Sequence, residues 1–255
     1  AEPHPQSPRW NLDETRDMVR RLYGRNQVHL LRPCLRSIFD RQEYARFHYH
    51  GAVDLLDTFV AARLANASLL DVIFSDDDET ADAFQVFITQ IGAHFVGCVQ
   101  SLHAIADILS HAIYFALALD RAGKPLAAQD VCASTVLARL QSAPDAARVH
   151  ALFNELCNGG RFDHLAALVN HSKHRSIVQP SISEDWTGAA PQRHTLKVQG
   201  FVRETRRTGS KTFPEMGMKE FLQPEFDRCS ALVVHIGIAL NEVLRGRMND
   251  GTGAS

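Results

Sequence analysis

The stretch FITQIGAHFVGCVQSLHAIADILSHAIYFAL, residues 87–117, decides the fold of this chain. Its apolar residues recur at three- and four-residue steps, which is the spacing of a helix with a buried side. The acidic run SDDDET at 75–80 precedes it, and acids favour the first turn of a helix. We predict a helix of about 40 residues from this run to Ala118, with a bend or break at Gly92 or Gly97.

Helical spacing continues in both directions, from about Leu12 to Ile177, with few glycine or proline interruptions. Asn11 is placed to cap the first helix, Gly24 to interrupt the chain and Pro33 to kink it. A further apolar helix follows near the end of the sequence. The predicted helices cover residues 13–23, 42–66, 75–118, 131–141, 142–160, 163–178 and 224–244.

The pattern changes at Gln179. Residues 179–194 have the composition of a loop, whereas TLKVQGFVRE at 195–204 alternates apolar and polar residues as a half-exposed strand does. RTGSKTF at 207–213 can turn that strand back on itself. We therefore predict a mainly α protein: a single helical bundle with long central helices, about 12–178 and 224–246, and a small β-hairpin insertion at about 179–217.

The bulk composition favours an ordinary folded, soluble protein. The chain has 255 residues, 45% hydrophobic and 22% charged, with a formal net charge of −2, so no nucleic-acid or membrane partner is indicated globally. The longest unbroken apolar run, at 112–119, is far shorter than the ~20 residues that span a bilayer. Five cysteines without a CxxC pair favour a reducing, cytoplasmic compartment.

The segment VNHSKHRSIV, residues 169–178, concentrates groups that could act on a phosphodiester. On a helix, Asn170 lies one turn from His174, and His171 lies one turn from Arg175. Histidine exchanges protons near neutral pH and arginine binds phosphate through two donors. We predict Asn170, His171, His174 and Arg175 as candidate catalytic residues. The alternative is a solvated helix end, where the dipole favours cations.

The segment 193–211 is the most basic part of the sequence. It contains six basic residues against the single acid Glu204, which would attract a phosphate backbone. We predict Arg203, Arg206, Arg207 and Lys211 as ligand-binding residues. The alternative is a solvated charged surface.

A polar stripe follows the long central helix and contains no Lys, Arg or Glu. Its members are Gln100, His103, Asp107, His111 and Tyr114. Three interpretations stay open: a hydrogen-bonded network that fixes the helix register, a metal site completed by another helix, or part of a ligand cleft. His103, Asp107 and His111 are therefore further ligand-binding candidates.

Common cofactor motifs are absent from the sequence. It has no GxGxxG after a strand, no Walker loop, no GxSxG elbow and no EF-hand loop. Residues 171–174 also lack the glutamate of the zinc-protease pattern. We expect no cofactor and no resident metal.

The long helix at 87–117, the Asn/His/Arg cluster and the last amphipathic helix together resemble bacterial helical proteins of the HEPN-like type. That superfamily includes toxin and phage-defence ribonucleases as well as inactive relatives. The resemblance implies metal-independent RNA cleavage by an arginine and a histidine with four to six residues between them. Here the cluster has histidine before arginine, and only Arg41 and His48, with Gln42 after the arginine, match the spacing.

These patterns together predict a cytoplasmic helical protein that binds RNA or another phosphate-bearing ligand. The HEPN-like resemblance adds the expectation of a metal-independent endoribonuclease of toxin or phage-defence type. We also expect a homodimer formed through a face of the bundle. The alternative is a non-enzymatic protein-interaction module with a structural polar network, whose basic hairpin docks onto an acidic protein.

Overall fold

The computed structural model describes residues 8–122, 124–205 and 209–251. The protein is mainly α-helical, as predicted, with 71% of its residues in helices. The α-helices are α1 (Leu12–Tyr23), α2 (Arg25–Phe59), α3 (Leu69–Ile73), α4 (Asp78–Ala116), α5 (Ala133–Gln141), α6 (Ala147–Cys157), α7 (Gly160–His174) and α8 (Met218–Asn249). A π-helical turn, Val60–Leu64, follows α2, and 3₁₀ turns occupy Ala128–Asp130 and Pro144–Ala146.

Helix α1 begins and ends where the sequence predicts. The side chain of Asn11 accepts a hydrogen bond from the amide of Glu14, which caps the helix. Gly24 ends it with a φ of +85°, a left-handed conformation that costs glycine little. Pro33 does not end a helix, because α2 continues through it from Arg25 to Phe59.

The predicted break in the central helix is wrong, since α4 is continuous through Gly92 and Gly97. Gly97 serves a different purpose, because a Cβ there would lie 2.6 Å from Nε2 of His48 on α2. Likewise, a Cβ at Gly51 of α2 would lie 2.3 Å from Cε1 of His94 on α4. Gly97 of α4 thus leaves room for the ring of His48, and Gly51 of α2 leaves room for the ring of His94. The two helices therefore approach closely there.

The β-structure is larger than the predicted hairpin. The strands are β1 (Pro180–Glu184), β2 (His194–Val198), β3 (Phe201–Thr205), β4 (Gly209–Phe213) and β5 (Met216–Gly217). Strands β1, β2 and β5 form an antiparallel sheet in the order β1-β2-β5, and β3 pairs with β4 in a separate hairpin. The predicted hairpin is confirmed for β3 and β4, whereas the predicted loop over 179–194 is wrong at β1.

The predicted single strand over 195–204 is also corrected. Residues 199–200 divide it into β2 and β3, which belong to different sheets. At Gly200 a Cβ would lie 3.0 Å from the amide nitrogen of Glu215. The backbone of the following segment therefore passes where a side chain would stand, which explains the interruption.

The chain forms two compact units. Unit 1 comprises Ala1–Gln42, Ala104–Phe162 and Phe226–Ser255, and unit 2 comprises Glu43–His103 and Asp163–Glu225. The core of unit 1 includes Val19, Leu31, Ile38, Ile105, Leu109, Phe153 and Leu240; that of unit 2 includes Phe59, Phe87, Ile91, Phe95, Leu165, Leu168 and Val198. The single predicted domain stays a prediction.

Helices α4 and α8 pass a test of length and hydropathy for membrane spans. In each, however, 56% of the most apolar 18-residue window is buried inside the protein. Core helices of soluble proteins have the same character, so these two helices are weak evidence for a membrane span.

A close contact in unit 1 holds Trp10, which precedes α1, against α8. Trp10 is buried and its Nε1 donates a hydrogen bond to Oγ1 of Thr15 at 2.9 Å. A Cβ added at Gly237 would lie 1.9 Å from Cδ2 of this ring. The indole ring of Trp10 can therefore pack here only because residue 237 is glycine.

Replacing Gly237 with alanine is expected to lower the free energy of unfolding by about 1–3 kcal/mol, because the buried indole must shift to admit the methyl group. Urea denaturation measures the change. Gly246→Ala on the same helix is the matched control, since nothing lies within 4 Å of its added Cβ, and it should leave stability unchanged or slightly higher. Equal stability of the two variants would contradict the packing of Trp10.

Candidate functional site

Helix α7 carries the predicted Asn/His/Arg cluster on its last turn. Leu165, Leu168 and Val169 are buried and fix one side of the helix in the core of unit 2. The amides of Arg175 and Ser176 both donate to the carbonyl oxygen of His171, at 2.9 and 3.2 Å. This turn ends α7 at His174, four residues before the predicted end.

The four predicted catalytic residues separate into two pairs. The half-buried ring of His171 packs edge-on against Phe201 of β3, with 5.2 Å between centroids, and its Nε2 lies 3.1 Å from Oγ of Ser176. Arg175 donates to Oε2 of Glu204, also on β3, at 3.3 Å. His171 and Arg175 thus face the hairpin.

Asn170 and His174 have different surroundings. Both side chains are exposed, and neither makes a side-chain hydrogen bond or ion pair within the described part of the chain. Lys173 is exposed as well and, over the same described residues, has no ion-pair partner. The last turn of α7 therefore presents a carboxamide, an ammonium and an imidazole to solvent.

The cations of the basic segment have carboxylate partners. Asp163, in the first turn of α7, accepts from Nη1 of Arg203 at 2.9 Å and also binds Nζ of Lys211. Nη2 of Arg193 lies 2.6 Å from Glu184, and Nζ of Lys197 lies 3.1 Å from Glu215. Arg206 and Arg207 lie outside the described residues. Every described Lys or Arg between 193 and 211 therefore has an acidic partner.

Asp163 is the central partner, and the sequence reasoning missed it. Burial raises the pKa of its carboxyl, but hydrogen bonds from Lys211 and Arg203 and their charges outweigh burial, so the pKa lies below its ordinary value of 3.8. Asp163 is ionised at neutral pH and fixes both strands of the hairpin to α7. Asp163 lies 40 residues before Arg203 and 48 residues before Lys211 in the sequence. No local sequence pattern therefore indicates these ion pairs.

An aromatic cluster supports the same contact. His164 stacks on Phe213 and packs against Phe221, each with centroids 4.6 Å apart, and Phe201 stacks on Phe213. Burial, followed by the charge of Lys211, lowers the pKa of His164. His164 is therefore neutral near pH 7 and packs the hairpin onto α7.

The polar stripe on α4 does not form one continuous buried surface. Gln100 and Asp107 are exposed, and Tyr114 is buried, with its hydroxyl accepting from the amide of Leu126 at 2.9 Å. His103 and His111 are half-buried, and burial lowers the pKa of His111 despite the opposing charge of Asp107. Among the described residues no group of three His, Cys, Asp or Glu could hold a metal ion.

A histidine pair in unit 2 was missed by the sequence reasoning. Nδ1 of His48 lies 3.3 Å from Nδ1 of His94, and Phe47 packs against both rings. Burial and the neighbouring His94 both lower the pKa of His48. The pair connects α2 and α4, and the signal that could have found it is the recurrence of Gly51 and Gly97 one turn from each histidine.

Comparison with known proteins found no family model, no curated protein and no solved structure that matches this chain. The HEPN-like resemblance therefore stays a prediction.

Asp163→Asn is expected to lower the free energy of unfolding at pH 7 by about 1 kcal/mol, because two charged hydrogen bonds are weakened at a side chain that is 33% exposed. The depressed pKa of Asp163 gives stability that is complete above its ordinary pKa of 3.8 and is lost as the pH falls through the folded value. Chemical denaturation at several pH values should show that the free energies of unfolding of wild type and Asp163→Asn become equal at acidic pH.

The matched control for this change is Asp57→Asn, which alters an exposed carboxylate on α2. It should leave stability unchanged at every pH. A difference between wild type and Asp163→Asn that persists far below pH 3.8 would show that the carboxylate charge is not what stabilises the hairpin.

Proposed function

We propose that this chain is an RNA-binding protein that holds the phosphate backbone at the last turn of α7 and does not cleave it. The observation that carries the proposal is the exposure of Asn170, Lys173, His174 and Arg175 at the C-terminal end of α7. Amide, ammonium and guanidinium donors are the groups that contact phosphate oxygens. Single-stranded RNA, whose phosphates are accessible along the chain, suits such a small exposed cluster.

The exposed ion pair of Arg175 with Glu204 supports phosphate binding at this end of α7. The pair spans 3.3 Å, with side chains 53% and 69% exposed. Exposed pairs of this kind contribute about 0–1 kcal/mol, so a phosphate that accepts two hydrogen bonds from the guanidinium can displace the carboxylate. Arg203 and Lys211 of the hairpin share the single carboxylate of Asp163, and the positive charge that remains attracts a polyanion.

The arrangement of the histidines favours binding over cleavage. A general acid or base must reach the proton it transfers. His171 is half-buried against Phe201 and hydrogen-bonded to Ser176. His174 is exposed, and no described side chain orients its ring. We place this binding function in the cytoplasm, because none of the five cysteines forms a disulfide.

The test is a salt titration of binding to a single-stranded RNA oligonucleotide. The double variant Lys173→Gln, Arg175→Gln should bind more weakly and should reduce the slope of log K against log salt by about 1.4, because each lost phosphate contact on a single strand contributes about 0.7. Fluorescence anisotropy at several salt concentrations measures both. The RNA should stay intact throughout.

The control is Arg9→Gln, Lys124→Gln, which removes the same two charges at exposed positions of unit 1 and should retain affinity and slope. Asp163→Asn should bind RNA more tightly than wild type, because it releases Arg203 and Lys211 from their carboxylate. If the α7 variant binds like the control, RNA does not bind at this turn.

A second candidate is a non-enzymatic interaction module whose hairpin docks onto an acidic protein. The observation that favours it is that the described cations of the hairpin already bind a carboxylate, as Arg203 does with Asp163 at 2.9 Å. Polyglutamate serves as the competitor in the same titration. Binding of polyglutamate without binding of RNA would favour this candidate.

A further inference from the structure

Helix α3 exposes an apolar face in unit 2. Leu69 and Val72 are buried, whereas Leu70, Ile73 and the following Phe74 are 52%, 41% and 77% exposed. These three positions are separated by three and four residues, so their side chains share one side of the helical turn. Three large apolar side chains on one exposed side are typical of a surface that binds another protein.

Helix α3 is held in place by hydrogen bonds at its start. Ser68 and Asp71 form a capping box, with the amide of Ser68 donating to Oδ2 of Asp71 at 2.9 Å. The amide of Leu69 donates to Oε2 of Glu184 at 2.8 Å, and the Glu184 side chain is only 1% exposed. The apolar face is therefore presented by an anchored turn, which lowers the entropy cost of docking.

The residues around this face are strongly acidic. Residues 69–82 contain six Asp or Glu and no Lys or Arg. Asp76, Asp78 and Asp82 are exposed, and within the described chain none of the three makes an ion pair. A partner for the α3 face must therefore combine an apolar depression with positive charge, and an anionic membrane surface would be repelled.

Unit 1 contains a groove with that character. A depression of about 710 Å³ lies along α1 and α2, and its apolar lining includes Leu12, Pro33 and Phe39. Arg16, Arg32 and Arg36 also line it, with Asp40 as the one acid. Arg36 is 3.5 Å from Asp40, in an exposed pair, and Arg32 is exposed and makes no ion pair among the described residues.

We propose that two copies of this chain associate by placing Leu70, Ile73 and Phe74 of one copy in the groove lined by Leu12, Pro33 and Phe39 of the other. The apolar side chains supply the buried centre of the contact, and the acids at 76–82 meet Arg32 and Arg36 at its rim. Each copy carries both surfaces, so the α3 face of one copy can bind the groove of another. The inference concerns surfaces outside the RNA-binding turn and goes beyond the proposed function.

The test begins with the mass of the full-length chain in solution. Sedimentation velocity over a range of protein concentrations should show wild type shifting from one to two chain masses. Phe74→Ser should weaken that association at least tenfold, because it removes the most exposed anchor while leaving the core intact. Circular dichroism and the urea midpoint should match wild type. A wild-type protein that stays at one chain mass would overturn the proposal.

Charge reversal provides the sharper test. Asp76→Lys, Asp78→Lys on one preparation and Arg32→Glu, Arg36→Glu on another should each abolish self-association, because like charges then face each other. An equimolar mixture of the two should associate again, since the lysines of the first meet the glutamates of the second and the native surfaces meet in the other contact. The matched control Asp54→Lys, Asp57→Lys, on exposed residues of α2, should associate like wild type.

The remaining outcomes are equally decisive. Association that survives both reversals would show that another face of the protein is used, which overturns the proposal. Failure of the mixture to associate would do the same. RNA affinity measured on the Phe74→Ser protein should be unchanged, so the loss of either property identifies which proposal has failed.

Discussion

Burial of α4 along its length is the constraint on which the rest of the structure depends. Phe87, Ile91 and Phe95 lie in the core of unit 2, and Ile105 and Leu109 lie in the core of unit 1. Each such side chain contributes about 1.5–3 kcal/mol of transfer free energy. Glycine in a helix costs about 1 kcal/mol, so the buried apolar residues offset Gly92 and Gly97 and keep the helix continuous.

Local periodicity predicted most of the helices because helical hydrogen bonds and buried stripes are local properties of sequence. It was wrong in beginning a helix near Gln42, inside α2, and it missed α3. It failed at the strands, whose partners are distant. Pro180–Glu184 has the serine-rich composition of a loop and becomes a strand by pairing with His194–Val198. Likewise, 195–204 alternates like one strand, yet it divides because Gly200 admits the backbone of Glu215. Neither partner is visible from the strand's own residues.

The candidate site shows the same division between local and distant information. Helical spacing alone predicted that Asn170, His171, His174 and Arg175 lie at one helix end. In the structure His171 and Arg175 face the hairpin, whereas Asn170 and His174 face solvent. The sequence alone could not predict that Asp163 would neutralise Arg203 and Lys211, since counting charges in 193–211 ignores acids elsewhere in the chain. Arg203 and Lys211 of the basic segment are therefore paired with Asp163 of α7. The hydrogen-bond donors that remain accessible are those at the C-terminal end of α7.

The net charge of −2 conceals two segments of opposite sign. Residues 193–211 are basic and residues 69–82 are acidic, so the RNA binding and the self-association that we propose would both depend on electrostatics. Salt weakens both, since charges are screened beyond about 8 Å at physiological ionic strength. A salt dependence by itself therefore cannot separate them. Variants that change the charge at one site can separate them. Removing the Asp163 carboxylate adds positive charge at α7 and leaves the α3 face untouched. Reversing the charges of Asp76 and Asp78 changes the α3 face alone.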